Sequence, residues 1–254
     1  VMAESYKIIA EQDYCTVVAK YESSRKNGNA YQSEQDLERW LIEQLQRQGY
    51  EYPSIHNEKE LLENLRIQLG KANDTEYSDK EWTSLLNILT SETLTMEDKA
   101  DMIQKENTAV EIERDNGIKT NVHLIHKDNV FKNNLQVINQ YVPAGGTHAN
   151  RYDVTILVNG LPLVHIELKR RGVSIREAFN QINRYARESF WAGKGMFDYI
   201  QLFIISNGTE TKYYSNTTRY AREQEADKQK GKKKKIQSNS FEFTSYWSDR
   251  ENNL

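Results

Sequence analysis

Two short runs of β-branched and apolar residues, Val154 to Val158 and Leu163 to Leu168, are separated by Asn159-Gly160. An Asn-Gly pair between such runs favours a tight hairpin, because both corner residues of the turn need a positive φ. Side chains alternate between faces along a strand, so Glu167 and Lys169 are expected on one face while the residues between and before them point into the core. The pattern therefore predicts a β-hairpin with polar residues near the end of its second strand.

The residues after this hairpin predict a helix and then another strand. Apolar residues recur at helical spacing from Ser174 to Phe190, and Ser174 with Glu177 matches a capping box at the start of this helix. An apolar run from Tyr199 to Ser206 follows, and Asn207-Gly208 ends it. A strand, a helix and a strand in this order form a crossover, which makes the last strand parallel to the second strand of the hairpin.

Further periodic segments complete the expected architecture. Leucines four residues apart predict an amphipathic helix from Ser33 to Gln48, ended by Gly49. Two more strands are predicted at Leu135 to Val142 and at Thr211 to Tyr214. Together these elements predict an α/β fold in which a central mixed β-sheet is flanked by helices.

Length and composition favour one domain. At 254 residues, with 37% hydrophobic and 10% aromatic residues, the chain can bury a substantial core. With no low-complexity linker before Lys228, we expect a single domain over 1–254, with its core at about 31–50 and 130–220. The single Cys15 excludes an internal disulfide framework, and no uncharged apolar stretch approaches ~20 residues. We expect a soluble, cytoplasmic protein without a membrane span.

The net charge of −3 is unevenly distributed along the chain. Residues 51–115 contain 16 acidic and 7 basic residues, a net charge of −9, and helical patterns lie around Glu60 to Leu69 and Glu81 to Leu89. We interpret residues 51–125 as an inserted helical region that phosphates repel. Residues 166–236 contain 16 basic and 8 acidic residues, a net charge of +8, which favours attraction to nucleic-acid phosphates. The segment at about 221–240 is expected to be basic and flexible.

Asp153, Glu167 and Lys169 are candidate catalytic residues, because a carboxylate pair beside a lysine suits metal-assisted attack on phosphate. Hard cations such as Mg²⁺ take oxygen ligands, so Asp153, Glu167 and the carbonyl of Leu168 are candidate metal ligands. The metal polarises the phosphoryl group, and Lys169 adds a positive charge for the attacking water or the transition state. The alternative is that Glu167 and Lys169 form the solvent face of an amphipathic hairpin, with Asp153 at the start of a strand.

Polar residues on the predicted second helix are further candidates. Gln181 and Tyr185 lie four residues apart and are therefore neighbours on one helix face, with Arg184 close by. They are candidates for orienting the site or binding DNA. The alternative is that they form an ordinary polar stripe of a helix that packs over the sheet. Arg170, Arg171 and Arg184 are candidate DNA-binding residues, because each offers a positive charge near the acids.

Four blocks of the chain resemble a known family: SEQDLERWLIEQL, GGTHANRYDVTILVNGLPLVHIELKRRG, REAFNQINRY and LFIISNGTETKYY. They are similar to the amino-terminal nuclease domain of the restriction (motor) subunit of type I restriction-modification enzymes, over roughly Tyr31 to Gly49 and Val137 to Tyr214. Asp153, Glu167-Leu168-Lys169 and the Gln181 to Tyr185 segment resemble the D...(D/E)-x-K core and Q-x-x-x-Y helix of RecB-like nucleases. One departure is that Tyr152, rather than proline, precedes the aspartate.

This resemblance implies a restriction-endonuclease-like PD-(D/E)xK core with a helical insertion, Mg²⁺ as cofactor and double-stranded DNA as substrate. It also implies a complex with the specificity and methylation subunits and an ATP-driven DNA translocase. The chain contains no G-x-x-x-x-G-K-[ST] motif, and Gly193-Lys194-Gly195 lacks the loop and the following hydroxyl residue. We therefore expect ATP to act only through a motor that lies outside this chain.

The resemblance also points to a glutamate on the first predicted helix. Related nucleases have a glutamate-arginine pair about three turns before a Gly-aromatic pair, and Glu38-Arg39 stands in that place before Gly49-Tyr50. Glu38 is therefore a further catalytic candidate, and Glu34 lies one turn earlier on the same side. Either could complete the outer sphere of the metal, or both could be solvated helix acids.

The expected function is Mg²⁺-dependent hydrolysis of DNA phosphodiester bonds. One alternative is a DNA-binding module with a nuclease-like fold, which predicts salt-sensitive DNA binding without metal-dependent strand breaks. The other is a docking domain of a large complex, which predicts neither DNA affinity nor metal binding.

Overall fold

The computed structural model describes residues 5–12, 16–22, 33–106, 108–143, 151–185, 195–216, 241 and 244–248, with the backbone alone over the first two ranges. The chain divides into two compact units, Val1–Tyr31 and Gln32–Leu254. In the first unit, β1 (Ser5–Gln12) and β2 (Thr16–Glu22) pair antiparallel, with a register irregularity between Ile8 and Ala10.

Helices and a small hairpin form the first part of the second unit. The helices are α1 (Glu34–Arg47), α2 (Glu58–Ala72), α3 (Asp79–Leu89) and α4 (Met96–Gln104). An antiparallel hairpin of β3 (Val110–Glu113) and β4 (Lys119–Val122) follows them. The two predicted helical patterns in the acidic region lie within α2 and α3, whereas α4 and the hairpin were not predicted.

The described residues of this unit contain a six-stranded sheet with the order β10-β9-β8-β7-β6-β5. Its strands are β5 (Leu135–Tyr141), β6 (Tyr152–Val158), β7 (Leu161–Leu168), β8 (Leu202–Ser206), β9 (Thr211–Ser215) and β10 (Ser245–Tyr246). Strands β7 and β8 are parallel and flank α5 (Ile175–Tyr185) in the chain, and the other neighbouring strands are antiparallel. The predicted α/β fold with a mixed sheet flanked by helices is confirmed.

The turn between β6 and β7 has the conformation that its residues predict. Asn159 and Gly160 have φ values of 50° and 82°, the positive pair of a tight hairpin. A Cβ atom added at Gly160 would lie 2.7 Å from the Cα of Leu65 on α2. Glycine is therefore required both by the turn and by the close approach of α2.

The strand after the crossover begins later than its sequence pattern predicts. Met196–Tyr199 form a 3₁₀ turn, and β8 starts only at Leu202. The hydroxyl of Tyr199 donates a hydrogen bond to the carbonyl of Leu89 at 2.9 Å, so the first part of this apolar run packs as a turn on α3. The predicted helix end at Phe190 lies outside the described residues.

Both faces of the central sheet are covered. On one face, Leu37 and Ile42 of α1 share a core with Val154 of β6 and with Ile166 and Leu168 of β7. On the other face, apolar residues of the sheet share a larger core with α2, α3 and α5. Strand β7 is therefore buried on both sides, which explains its nearly continuous apolar sequence.

The acidic region packs on the sheet through its apolar side chains. Leu65 and Leu69 of α2 and Leu85 and Leu89 of α3 are fully buried in the core that also contains sheet residues. Its negative charge and its contribution to the core are therefore on different faces of the same helices. None of the helices in the described ranges has the length and apolar composition needed to cross a membrane.

A buried ion pair joins α4 to the 3₁₀ turn before β8. The Nζ atom of Lys99 lies 2.6 Å from Oδ2 of Asp198, and burial raises the pKa of this carboxyl against the attraction of the lysine. We expect Lys99→Met to lower the free energy of unfolding by about 3 kcal/mol, because it leaves an unpaired buried carboxylate. In urea denaturation, the double variant Lys99→Met with Asp198→Leu should recover much of this loss. A double variant no more stable than the single one would contradict the prediction.

Candidate active site

Asp153 and Glu167 face each other on neighbouring strands. The register of β6 and β7 pairs Val154 with Ile166, which places the preceding Asp153 opposite Glu167. The backbone N–H of Leu168 donates to Oδ2 of Asp153 at 2.9 Å, and the side chain of Glu167 is fully buried. The two carboxyl groups are close enough for Glu167 to raise the pKa of Asp153. The hairpin register therefore makes neighbours of two acids that are distant in sequence.

Lys169 lies beside this acid pair. Its Nζ atom is 3.4 Å from Oε1 of Glu167, 3.0 Å from the carbonyl oxygen of Leu168 and 3.8 Å from Oε2 of Glu34. Its backbone N–H donates to the carbonyl of Ser206 at 2.8 Å, which continues the β7–β8 pairing past the strand end. Because Lys169 is only 8% exposed and Glu167 is fully buried, the two residues do not form a solvent face of the hairpin.

The electrostatic environment favours protonation of the acid pair. Burial, and then the neighbouring Glu167 carboxylate, raise the pKa of Asp153 to about 8, against the Leu168 N–H and Lys169, which lower it. Burial raises the pKa of Glu167 to about 8 as well, against the attraction of Lys169. Two neighbouring and largely desolvated carboxyl groups repel each other when both are ionised, so the metal-free pair retains a proton at neutral pH.

His165 also belongs to this site, although the sequence pattern gave it no role. Its fully buried ring lies with Nε2 3.3 Å from Oε2 of Glu167 and with Nδ1 3.4 Å from Oγ1 of Thr155. Burial lowers the pKa of this imidazole to about 4, so the ring is neutral at neutral pH. The available signal was the two-residue period of a strand, because His165 and Glu167 must share one face of β7.

The two candidate glutamates of α1 have different surroundings. Glu38 is buried, and its carboxylate accepts hydrogen bonds from the side-chain amides of Asn139 and, at 2.6 Å, Gln140. Glu34 is more exposed and lies beside Lys169. It accepts a hydrogen bond at 3.4 Å from the backbone N–H of Arg170, in the loop after β7. The structure therefore brings Glu34 to the lysine and engages Glu38 with β5, and a catalytic role for Glu38 stays a prediction.

A comparison with protein families identifies the family of this chain. The family described as "Type I restriction enzyme R protein N terminus" matches residues 31–222. The chain belongs to this family. The resemblance seen in the four sequence blocks is therefore confirmed, and the acid pair and Lys169 lie inside the region that matches the R protein.

Several proteins that are similar to this chain are named endonuclease subunits of type I restriction enzymes. The chain is 44% identical over 255 residues to the "Type I restriction enzyme EcoprrI endonuclease subunit" of Escherichia coli, which covers 100% of this chain and 76% of that subunit. It is 38% identical over 229 residues to the "Type I restriction enzyme SauMSSORF170P endonuclease subunit" of Staphylococcus aureus (strain MSSA476), which covers 88% of this chain. The chain spans only 22% of that second subunit's length.

The other residues predicted to orient the site or to bind DNA lie on α5 and in the loop after β7. Gln181, Arg184 and Tyr185 are on α5, which packs against β7 and β8, and the side chain of Gln181 is partly exposed. The side chains of Arg184 and Tyr185 lie outside the described part of the structure. Arg170 and Arg171 are exposed in the loop that follows β7. Roles of these five residues in orientation or DNA binding stay predictions.

The donor set of the site fits a hard divalent cation. Asp153 and Glu167 offer carboxylate oxygens, and a cation such as Mg²⁺ keeps several waters beside a small number of protein ligands. Among the described residues, no group of three or more His, Cys, Asp or Glu side chains is placed to hold a metal ion. The predicted third ligand, the carbonyl of Leu168, accepts a hydrogen bond from Nζ of Lys169 at 3.0 Å. This hydrogen bond uses one of the two lone pairs of the oxygen, and Leu168 as a metal ligand stays a prediction.

The acid pair makes the stability of the metal-free protein depend on pH. Folding raises both pKa values from 3.8 and 4.5 to about 8, so destabilisation by the pair is absent below about pH 4 and increases as the pH rises toward 8. In EDTA, we expect Asp153→Asn to raise the melting temperature, and by more at pH 8 than at pH 5. Glu111→Gln, which changes an exposed acid on β3, is the matched control and should have little effect. An equal gain at both pH values would contradict this explanation.

Proposed function

We propose that this chain is the nuclease domain of a type I restriction subunit and hydrolyses phosphodiester bonds of double-stranded DNA with Mg²⁺. The observation that carries the proposal is the placement of Asp153 opposite Glu167 on neighbouring strands, with Nζ of Lys169 3.4 Å from the fully buried Glu167. An acid pair with raised pKa values beside a lysine is unfavourable for stability alone and suits a site that binds a cation. The relatives' names, which describe endonuclease subunits, support DNA as the substrate.

Each residue of the site has a proposed role. Asp153 and Glu167 would hold Mg²⁺, which when bound polarises a phosphoryl oxygen and lowers the pKa of a coordinated water. Lys169 holds a positive charge beside Glu167, where it orients the water or stabilises the extra negative charge of the transition state. Glu34, 3.8 Å from Nζ of Lys169, is a second acid that attracts this ammonium. Arg170 extends the positive surface toward backbone phosphates.

The same proposal gives the partners. The domain would act in a cytoplasmic complex with the specificity and methylation subunits of a type I restriction-modification enzyme. ATP would be used by a motor region that follows this domain in the full subunit, as the greater length of the Staphylococcus aureus relative suggests. The domain itself would supply the cutting chemistry and a local basic surface.

Plasmid cleavage by the assembled complex tests the proposal. Supercoiled DNA carrying the recognition site is incubated with ATP and Mg²⁺, and the conversion to nicked and linear forms is measured for wild type, Asp153→Asn and the exposed-acid control Glu111→Gln. Cleavage by wild type and Glu111→Gln, with none in Asp153→Asn or with Ca²⁺ replacing Mg²⁺, supports the proposal. DNA binding without metal-dependent breaks in the wild type would favour a binding module, and no DNA binding would favour a docking domain.

Substitutions on α5 should have smaller effects than substitutions of the acids. We expect Gln181→Ala and Tyr185→Ala to reduce the cleavage rate roughly ten- to a thousandfold, because they remove orienting hydrogen bonds rather than metal ligands. Cleavage rates are compared with melting temperatures of the same preparations. If both variants lose stability while the rate per folded molecule stays normal, α5 only packs on the sheet.

A further inference from the structure

His165 lies directly behind the carboxylate of Glu167, on the same face of β7. Its ring is fully buried, with Nε2 3.3 Å from Oε2 of Glu167, and it packs against the aromatic rings of Tyr152 and Phe203. Its Nδ1 atom is 3.4 Å from Oγ1 of Thr155, which is the residue paired with His165 across β6 and β7. The imidazole therefore bridges a buried hydroxyl and a proposed metal ligand.

The directions of these hydrogen bonds follow from the chemistry of the groups. When Glu167 binds a metal, its carboxylate is ionised and only accepts hydrogen bonds, so Nε2 must carry the proton that is shared with it. A neutral imidazole has a single N–H group, so Nδ1 then accepts from the hydroxyl of Thr155, a group that can donate or accept. The ionised Glu167 therefore selects the tautomer in which Nε2–H points at it, and Thr155 satisfies the other ring nitrogen.

The two oxygens of Glu167 are consequently held by different partners. Oε2 faces His165, and Oε1 faces Nζ of Lys169 at 3.4 Å. These two contacts fix the rotation of the carboxylate plane, which is otherwise broad for the last torsion of a glutamate. A fixed plane keeps Oε1 directed toward the lysine side of the site.

Packing alone does not require a histidine here. A leucine of similar volume fills an apolar position without burying two polar nitrogen atoms, whose burial is unfavourable unless both are hydrogen-bonded. Both nitrogens of His165 have partners, and one partner is a residue of the proposed nuclease centre.

We propose that His165, with Nδ1 hydrogen-bonded to Thr155, is a positioning residue that orients the Glu167 carboxylate for metal binding. This inference rests on the proposed nuclease function, because it gives Glu167 the role of a ligand. Groups that hydrogen-bond a metal ligand in this way typically change metal affinity or activity by about ten- to a hundredfold when removed.

The tautomer is tested in the 254-residue chain at a pH above the raised pKa values of the acid pair, where Glu167 is ionised. Long-range ¹H–¹⁵N spectra of histidine-labelled protein, assigned with His165→Gln, should show the Nε2–H tautomer for His165 in the wild type. Thr155→Val keeps the side-chain shape but removes the hydrogen bond to Nδ1, and it should shift the Nδ1 resonance while the Nε2–H tautomer is retained. An Nδ1–H tautomer in the wild type would overturn the inference, whatever the variants do.

The effect on metal use is tested in two ways. Mn²⁺ titration of the chain, followed by paramagnetic broadening at the residues around Glu167, gives metal affinity without turnover. The Mg²⁺ concentration for half-maximal plasmid cleavage by the assembled complex gives it during turnover. His165→Leu should raise both concentrations about ten- to a hundredfold, and His165→Gln, which places an amide donor near Nε2, should recover most of the loss. The matched control is His126→Gln, whose histidine contacts the carbonyl of Ala72 instead.

The outcomes separate this inference from the proposed function. If Asp153→Asn cleaves like the wild type, the nuclease assignment fails and the inference fails with it. If Asp153→Asn is inactive but His165→Leu keeps wild-type metal dependence, only the role of His165 is overturned. If His165→Leu does not fold, Thr155→Val decides, because it removes the hydrogen bond that holds the ring in place: wild-type metal dependence in this variant overturns the inference.

Discussion

Asp153→Ala is expected to reduce DNA cleavage by the assembled restriction complex to background, and Glu167→Ala is expected to do the same. Each substitution removes one of the two carboxylates that we propose to hold Mg²⁺, so a loss of about a thousandfold or more is expected. The measurement is the conversion of supercoiled plasmid to nicked and linear DNA. ATP hydrolysis by the same complex is the internal control, because the changed residues lie outside the proposed motor.

Lys169→Met belongs to the same prediction but acts by another route. It removes the positive charge beside Glu167 while keeping most of the side-chain volume, and we expect the cleavage rate to fall roughly a hundred- to a thousandfold. Lys169→Arg should recover only part of this rate, since a planar guanidinium does not replace a compact ammonium in a site that is only 8% exposed.

Melting temperatures of the variants separate a loss of catalysis from a loss of folding. Because Asp153→Ala relieves repulsion in a buried acid pair, the variant should melt no lower than the wild type in EDTA, apart from the loss of the hydrogen bond from Leu168 N–H. A folded variant at Asp153, Glu167 or Lys169 that cleaves DNA at the wild-type rate would remove that residue from the catalytic assignment.

Local sequence signals predict the hairpin that carries the acids, but not its complete register. The positive φ values of Asn159 and Gly160 suit a tight turn that pairs Val158 with Leu161, and this register alone would place Asp153 opposite Ile166. A register irregularity between Ile156 and Leu157 shifts the pairing by one residue and places Asp153 opposite Glu167. The two-residue period then places Lys169 on the side of Glu167.

Features that depend on tertiary packing could not be predicted in the same way. The two-residue period of a strand places His165 and Glu167 on one face of β7. Their complete burial could not be predicted, because it depends on what packs against that face of the sheet. The spacing on α1 could not distinguish Glu34 from Glu38, because their surroundings depend on where the helix crosses the sheet. Tyr199 has a strong strand propensity, yet its hydrogen bond to α3 favours a turn.

The charge distribution of the chain leads to a second large effect. The residues around the loop after β7 are basic, whereas α2 and α3 expose most of their acidic residues and pack on the core mainly through apolar side chains. Phosphate contacts are therefore expected from a local surface and not from the whole molecule. A small number of such contacts gives weak binding, because each contributes through the release of about one counterion.

We expect the isolated 254-residue chain to bind DNA weakly and without sequence preference, and to cut it poorly or not at all. With about three phosphate contacts, the affinity should fall on the order of tens of fold between 50 and 200 mM salt. Fluorescence anisotropy with a labelled duplex measures this slope. Arg171→Glu, in the exposed loop after β7, should weaken binding strongly, whereas Lys80→Glu, on the exposed surface of α3, should have little effect and is the matched control. Robust site-specific cleavage by this chain alone at physiological salt would instead identify an autonomous restriction nuclease, and the proposed dependence on a motor subunit would be wrong.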